Sequence, residues 1–112
     1  MKIVVIGGGS TYTPELIDGF IARAGVLGVK EIWLVDPNQE RLAVVGAFAQ
    51  RMAAFANAPF KVELTSDRRR AIDGADFVIT QLRVGGQAAR HGDELLGRFA
   101  SCCGSFCPRR CQ

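Results

Sequence analysis

The sequence predicts an α/β fold built on a doubly wound parallel sheet. Apolar runs at residues 2–6, 31–35 and 76–81 are rich in β-branched residues, as is typical of strands that are buried on both faces. Longer segments between them, residues 14–24 and 38–56, carry apolar residues at helical spacing. Because strands alternate with helices, we expect parallel strands, right-handed crossovers and helices on both faces, which is a Rossmann-like architecture.

The first predicted strand, Lys2–Ile6, leads directly into a glycine-rich turn. Gly7 and Gly9 match the first two glycines of the dinucleotide-binding pattern G-x-G-x-x-G, whereas Tyr12 stands at the third position. The third glycine normally allows the following helix to pack closely on the strand. A tyrosine at this position therefore implies either a wider gap or a ring that turns away from the strand.

A helix is predicted to begin directly after this turn. Ser10, Thr11 and Thr13 are candidates for its N-cap, and Pro14 suits its first turn. A strand, a glycine turn and a helix N-terminus together present backbone N–H groups to an anion, usually a pyrophosphate. We therefore predict that both glycines of the pattern, together with Ser10 and Thr11, bind a dinucleotide cofactor.

An acidic residue, Asp36, follows the second predicted strand. In dinucleotide-binding folds a carboxylate at this place accepts hydrogen bonds from the adenosine ribose. The alternative is a helix cap, because an Asp before a proline commonly begins a helix. Given the glycine turn upstream, we favour the ribose-binding role.

The surroundings of Asp36 favour NAD over NADP as the cofactor. A carboxylate repels a 2′-phosphate, and the next two residues, Pro37 and Asn38, supply no arginine that could bind one. Arg41 lies further along the predicted helix, where we expect it to face solvent or the adenine edge.

Two more strands complete the predicted sheet. Residues 60–64 alternate apolar and polar side chains, which favours a strand toward the edge of the sheet. Asp67 is placed to cap a short helix over residues 68–72, with its three arginines facing solvent. The strand at residues 76–81 is expected beside the first strand, across the switch point where ligands bind in such sheets.

The carboxyl end of this last strand should therefore form part of the ligand rim. Thr80 is predicted to contact the cofactor. The other polar or flexible residues expected at this rim are Gln81, Arg83, Gly85 and Gly86.

Charge and hydropathy argue against nucleic-acid and membrane partners. The net charge of +3 arises in the acid-free segment 97–112, because the rest of the chain is balanced. The basic run at residues 68–70 has no interleaved aromatic residues that could stack on bases. No apolar run approaches the length of a membrane span, and no secretory signal is recognisable, so a cytoplasmic location is expected.

The last sixteen residues differ in composition from the rest. All four cysteines lie there, at positions 102, 103, 107 and 111, and their spacing fits no familiar zinc site. The bias toward Cys, Arg, Ser, Gly and Pro is typical of a GC-rich gene read out of frame. We therefore predict an incomplete domain over residues 1–96, followed over 97–112 by a disordered or frameshifted tail that holds no metal.

Two strings resemble one enzyme family. Residues 2–16, KIVVIGGGSTYTPEL, and residues 80–90, TQLRVGGQAAR, are similar to glycoside hydrolase family 4, particularly to its 6-phospho-β-glucosidases. The string IWLVD at 32–36 adds to the resemblance, which covers about residues 1–94. The family's own glycine string contains the tyrosine found here at position 12, which accounts for the departure from the general pattern.

The resemblance implies a hydrolase of phosphorylated disaccharides or glycosides that uses NAD and a divalent metal, typically Mn²⁺. In this family the cofactor oxidises the sugar, the aglycone then leaves by elimination, and the hydride is finally returned. Arg90 matches the family's arginine for the sugar 6-phosphate, and Arg83 lies on the same active-site loop. Without the resemblance to this family, Arg90 would be interpreted as an ordinary solvated residue of a helix.

The remaining catalytic parts implied by the resemblance lie outside this sequence. The family's metal-binding Cys and His and its catalytic Tyr come well beyond residue 112, in a longer and homo-oligomeric chain. We therefore expect no catalytic residue and no metal ligand here, and an isolated chain that is inactive. His91 matches no metal ligand and is expected at the surface.

Two alternatives remain open at this stage. One is the NAD-binding domain of a lactate- or malate-dehydrogenase-like oxidoreductase, in which Arg83 would bind a carboxylate. The other is a nucleotide-binding regulatory fragment without catalysis.

Overall fold

The computed structural model describes residues 1–82 and 84–103. It divides the chain into two compact units, residues 1–82 and residues 83–112. The first unit contains a four-stranded sheet and its helices, and the second unit contains one long helix.

Strands and helices alternate along the chain, as the sequence predicts. In order, the elements are β1 (Lys2–Ile6), α1 (Thr13–Ala22), α2 (Ala24–Leu27), β2 (Glu31–Val35), α3 (Gln39–Phe55), β3 (Lys61–Thr65), α4 (Arg68–Ile72), β4 (Phe77–Thr80) and α5 (Gly86–Cys103).

All three strand pairs are parallel, and the strand order is β3-β2-β1-β4. The predicted α/β class is confirmed, as are the edge position of β3 and the place of β4 beside β1. Ile6 at the end of β1 pairs with Val35 on one side and with Thr80 on the other. The carboxyl ends of the three strands therefore meet where the glycine turn begins.

The sheet buries apolar side chains on both faces. On one face, helices α1 and α3 pack their buried residues against alternate strand residues, among them Val5, Ile32 and Leu34. On the other face, Ala71 of α4 packs with Val4 and Val35. This two-sided burial explains why β1 and β2 read as almost continuous apolar runs.

Helix α3 crosses the sheet on a narrow stripe of mostly small residues. Its buried residues are Leu42, Gly46, Ala49 and Ala53. A Cβ on Gly46 would lie 2.4 Å from Leu64 Cδ2, so the helix approaches β3 more closely than a larger residue would allow. Phe55, which the helical spacing places on the apolar stripe, is 93% exposed; that expectation is wrong.

Several boundaries differ from those predicted by the sequence. Helix α1 begins at Thr13 and its N-cap is Tyr12, without a side-chain hydrogen bond, so none of the three predicted caps is used. Strand β4 is one residue shorter at each end than predicted, although Asp76 N donates to Lys2 O and the Asp76 carboxylate accepts from Lys2 N. Asp67 does cap α4, accepting from Arg69 N and Arg70 N.

Helix α5 continues through Cys103, across the boundary predicted between residues 96 and 97. The division between the two compact units falls earlier in the chain, after residue 82. The predicted tail extends beyond Cys103, and its last nine residues, 104–112, lie outside the described residues. Among the described helices, none is long and apolar enough to cross a membrane.

Strand β4 leaves much of its apolar surface uncovered. Phe77 is 60% exposed and Val78 is 45% exposed. An edge strand with exposed apolar residues can pair with another chain.

The core makes a direct prediction about stability. Ile17 of α1 is fully buried, so Ile17→Ala should lower the free energy of unfolding by about 2–5 kcal/mol. Val26 of α2 is 90% exposed, and Val26→Ala should change it by less than about 0.5 kcal/mol. Urea unfolding of the 112-residue chain, followed by circular dichroism, measures both. Equal midpoints for the two variants would contradict the packing described here.

Candidate functional site

The glycine turn is fixed to the end of β2 by backbone hydrogen bonds. Gly7 N and Gly8 N both donate to Val35 O, at 2.8 and 2.9 Å. Gly7 has φ of 93°, a conformation that other residues rarely adopt. A Cβ on Gly8 would lie 2.7 Å from Leu34 Cβ and 3.0 Å from backbone atoms of β2. The turn therefore lies directly against the neighbouring strand, where no side chain fits.

The carboxylate of Asp36 connects this turn with the start of α3. Its Oδ2 accepts a hydrogen bond from Gly9 N at 3.0 Å, and its Oδ1 accepts one from Asn38 N at 2.8 Å. The N-cap of α3 is Asn38, whose Oδ1 accepts from Arg41 N. The alternative that Asp36 is itself the helix cap is therefore wrong.

Two hydrogen bonds do not exhaust the Asp36 carboxylate. An ionised carboxylate has about four acceptor positions. With one backbone N–H on each oxygen, acceptor capacity remains for two hydroxyl groups. The backbone contacts also fix the orientation of the carboxylate before any ligand arrives.

A buried hydrogen-bond network holds α1 against the glycine turn. Thr13 is fully buried; its hydroxyl donates to Gly8 O at 2.9 Å and accepts from Gln81 Nε2 at 2.8 Å. The same Gln81 nitrogen lies 3.2 Å from Gly7 O, and Gln81 N donates to Ile6 O at 2.9 Å. Residues of β1, α1 and the segment after β4 are therefore tied together at one point.

Tyr12, at the third position of the glycine pattern, is 55% exposed. Its ring turns away from the strand, which was one of the two outcomes predicted. The close contact between helix and turn is made by the next residue, Thr13. The sequence indicates Thr13 only as a candidate cap, because nothing in the local pattern shows that its hydroxyl is buried between Gly8 O and the side-chain nitrogen of Gln81.

The beginning of α1 leaves a backbone donor available. Ser10 Oγ accepts from Tyr12 N at 3.2 Å, and Ser10 O accepts from Thr13 N at 3.0 Å. In the described part of the chain, Thr11 N–H has no hydrogen-bond partner. An unpaired N–H at a helix N-terminus is suited to an anion.

A cavity of about 340 Å³ lies beside the turn. It is lined by Gly9, Thr11, Glu40, Arg41, Val44 and Val45. Its walls thus combine the glycine turn with the first two turns of α3. A larger cavity, between the end of α3 and β3, lies away from the glycine turn and includes none of the predicted site residues.

The other predicted site residues divide into three groups. Thr80 ends β4 opposite Ile6 and is exposed at the same edge as the turn. Arg83 lies outside the described residues. Arg90 lies on α5, where its Nε is 2.8 Å from Glu94 Oε1 and more than half of each side chain is exposed. No cluster of three metal-ligating side chains occurs among the side chains that the structure describes, those of residues 1–82 and 84–97.

The geometry first defines a class of protein. A parallel sheet in which a glycine turn follows β1 and an acidic residue follows β2 is the dinucleotide-binding arrangement of the Rossmann type. Within that class, the model of family 4 glycosyl hydrolases matches residues 2–105 of this sequence. The chain belongs to that family. The match extends past residue 94, where the resemblance in the sequence was expected to stop.

Individual relatives agree with this membership. A probable 6-phospho-beta-glucosidase of Bacillus subtilis is 54% identical over 98 residues, which are 86% of this chain and 22% of the relative. The 6-phospho-beta-glucosidase of Thermotoga maritima, solved with manganese, NAD⁺ and glucose-6-phosphate, is 36% identical with a TM-score of 0.77, over 84% of this chain and 22% of that chain. The chain thus spans about a fifth of the length of these relatives.

Two further structures help to separate fold from function. A 6-phospho-alpha-glucosidase from gut microorganisms, in complex with NAD and Mn²⁺, has a TM-score of 0.80 and 27% identity, over 92% of this chain and 25% of that chain. Malate dehydrogenase of Salinibacter ruber has a TM-score of 0.59 and 18% identity, over 90% of this chain and 32% of its own. The latter likeness shows a shared fold alone, so the dehydrogenase alternative has no support beyond it.

The Thr13 network predicts an effect on stability. Thr13→Val keeps the shape but removes the hydroxyl, which leaves Gly8 O and one N–H of Gln81 with fewer partners in a buried site. We expect the free energy of unfolding to fall by about 1–3 kcal/mol. The matched control is Thr11→Val, because Thr11 is exposed, and we expect a change below about 0.5 kcal/mol. Urea unfolding decides between them, and a Thr13→Val variant as stable as the control would refute the network's contribution.

Proposed function

We propose that residues 1–82 bind the adenosine and pyrophosphate parts of NAD at the carboxyl edge of the sheet. The observation that carries this proposal is the contact between Asp36 and Gly9, which sets an oriented carboxylate directly beside the glycine turn. A ribose bound to Asp36 has its attached phosphates within reach of the turn.

The residues of the turn fit this cofactor in size and in polarity. Gly9 has no side chain, and a Cβ there would lie 2.8 Å from Asp36 Oδ2, in the space next to the proposed ribose ligand. Thr11 N–H is available to a phosphate oxygen, and Gly7, Ser10 and Thr80 complete the proposed set of cofactor contacts. The remaining acceptor positions of Asp36 suit a 2′,3′-diol, while its charge opposes a 2′-phosphate.

For the protein as a whole, we propose an NAD- and manganese-dependent 6-phospho-glycosidase acting on phosphorylated glycosides, with 6-phospho-β-glucosides as substrates. Family membership and the high identity to a relative named for this activity support it. Bound NAD supplies reversible oxidation of the sugar. The residues described here would hold the cofactor and orient it, and none of them is proposed as a catalytic acid or base.

Two arginines are proposed to bind the sugar phosphate. Arg90 is paired with Glu94 on an exposed helix surface, where an ion pair in water is weak and can be exchanged for a phosphate. Arg83 is proposed by resemblance alone. The described residues provide no cluster suited to Mn²⁺, so no step is assigned to a metal here.

A homo-oligomeric assembly and a cytoplasmic location remain proposals. The first rests on the resemblance to the family. The second rests on the cofactor and the phosphorylated substrate, since both classes of molecule are intracellular metabolites.

Cofactor binding is tested most directly at Asp36. Asp36→Ala removes a charged hydrogen-bond acceptor, so NAD⁺ affinity should fall about 10- to 100-fold, measured by isothermal titration calorimetry on the 112-residue chain. Asp67→Ala is the matched control, because Asp67 also follows a strand and accepts backbone N–H groups, but caps α4 after the edge strand. Its NAD⁺ affinity should match the unsubstituted chain. Equal losses in both variants would contradict a specific role for Asp36.

Hydrolysis is expected to require more than this chain. The only tyrosine in the sequence, Tyr12, belongs to the glycine turn, and the described residues offer no metal cluster. With NAD⁺ and Mn²⁺ present, we therefore expect no release of nitrophenol from a nitrophenyl 6-phospho-β-glucoside. Turnover that increases with the concentration of the purified chain would overturn this expectation.

A further inference from the structure

Arg41 lies closer to the proposed ribose site than its position in the sequence suggests. An ideal Cβ on Gly9 would lie 2.8 Å from Asp36 Oδ2 and 3.3 Å from Arg41 Cβ. The same small space beside the glycine turn is therefore bordered by the acid on one side and by the base of the arginine side chain on the other. The first turn of α3 brings Arg41 back to this point.

The backbone of Arg41 is fixed, whereas its guanidinium is available. Arg41 N donates to Asn38 Oδ1 at 3.0 Å, which anchors the residue in the capped first turn of α3. In the described part of the chain, its guanidinium has no hydrogen bond, ion pair or ring contact. The side chain also lines the cavity beside the turn, together with Gly9 and Thr11.

The two charges near this cavity would act differently on a cofactor. Each oxygen of the Asp36 carboxylate is already oriented by a backbone N–H. An arginine fork, by contrast, can bind two phosphate oxygens at once. Glu40 also lines the cavity and adds to the negative potential there.

We propose that Arg41 is a latent 2′-phosphate ligand, and that the charge of Asp36 is what prevents its use. On this view, which rests on the proposed NAD-binding function, the choice between NAD and NADP depends chiefly on the carboxylate of Asp36, and Glu40 keeps its charge in every variant compared below. Removing that charge leaves an arginine positioned to bind the phosphate. The alternative is that Arg41 is solvated and has no such role, and the experiment must distinguish between the two.

The experiment measures NAD⁺ and NADP⁺ binding to the full 112-residue chain by isothermal titration calorimetry. The unsubstituted chain should bind NAD⁺ and discriminate against NADP⁺. Asp36→Asn should raise NADP⁺ affinity about tenfold or more, because one charge-assisted phosphate contact replaces a repulsion. Adding Arg41→Ala to Asp36→Asn should abolish that gain, whereas adding Arg51→Ala should leave it intact, since Arg51 lies on the same helix near Phe48 and outside the cavity.

The possible results test the role of Arg41 separately from the proposed NAD-binding function. No gain in NADP⁺ affinity in Asp36→Asn, or a gain that survives Arg41→Ala, overturns the inference while NAD⁺ binding still supports the function. A natural chain that does not bind NAD⁺ contradicts the proposed function and the inference together. If circular dichroism shows that Asp36→Asn does not fold, Asp36→Ser removes the same charge and retains an acceptor, and the same comparisons are made on it.

Discussion

The site depends on the hydrogen bond from Gly9 N to the Asp36 carboxylate. It joins the turn after β1 to the segment after β2, which lie 27 residues apart in the chain. The partner hydrogen bond from Asn38 N keeps the carboxylate oriented without any ligand. Because the acid is held by the turn itself, a shift of either segment would disturb both of the surfaces that a dinucleotide needs. The geometry of the proposed cofactor site is therefore a property of the folded edge of the sheet.

Close packing of the helix on the turn is achieved without the usual third glycine. Thr13 approaches the turn and satisfies a carbonyl through its hydroxyl, while Gln81 satisfies that hydroxyl in turn. This solution needs β4 to be in place, because Gln81 follows it directly. A glycine would need no such partner. The turn in this family member is thus coupled to the strand on the far side of β1, and its rigidity depends on a contact that is distant in sequence.

Much of the fold could be predicted from the sequence, since strand burial and helix periodicity leave strong local patterns. The parallel order and the adjacency of β1 and β4 follow from those patterns and from chain handedness. The prediction that Phe55 is buried was wrong because periodicity alone does not show where a helix stops contacting the sheet. The buried role of Thr13 could not be predicted because its partner, Gln81, lies 68 residues away, and no local pattern indicates that contact. The sequence shows Arg41 only as five residues beyond Asp36, whereas the first turn of α3 brings both residues close to Gly9.

The fold of this chain does not distinguish between relatives that are named for opposite anomers. Solved relatives named for opposite anomers, a 6-phospho-beta-glucosidase and a 6-phospho-alpha-glucosidase, superimpose on this chain about equally well, with TM-scores of 0.77 and 0.80. Since both share this region, anomer choice is not a consequence of its fold. Both of these relatives were solved with NAD and manganese, so the region that they share with this chain goes with a common cofactor and not with a common anomer.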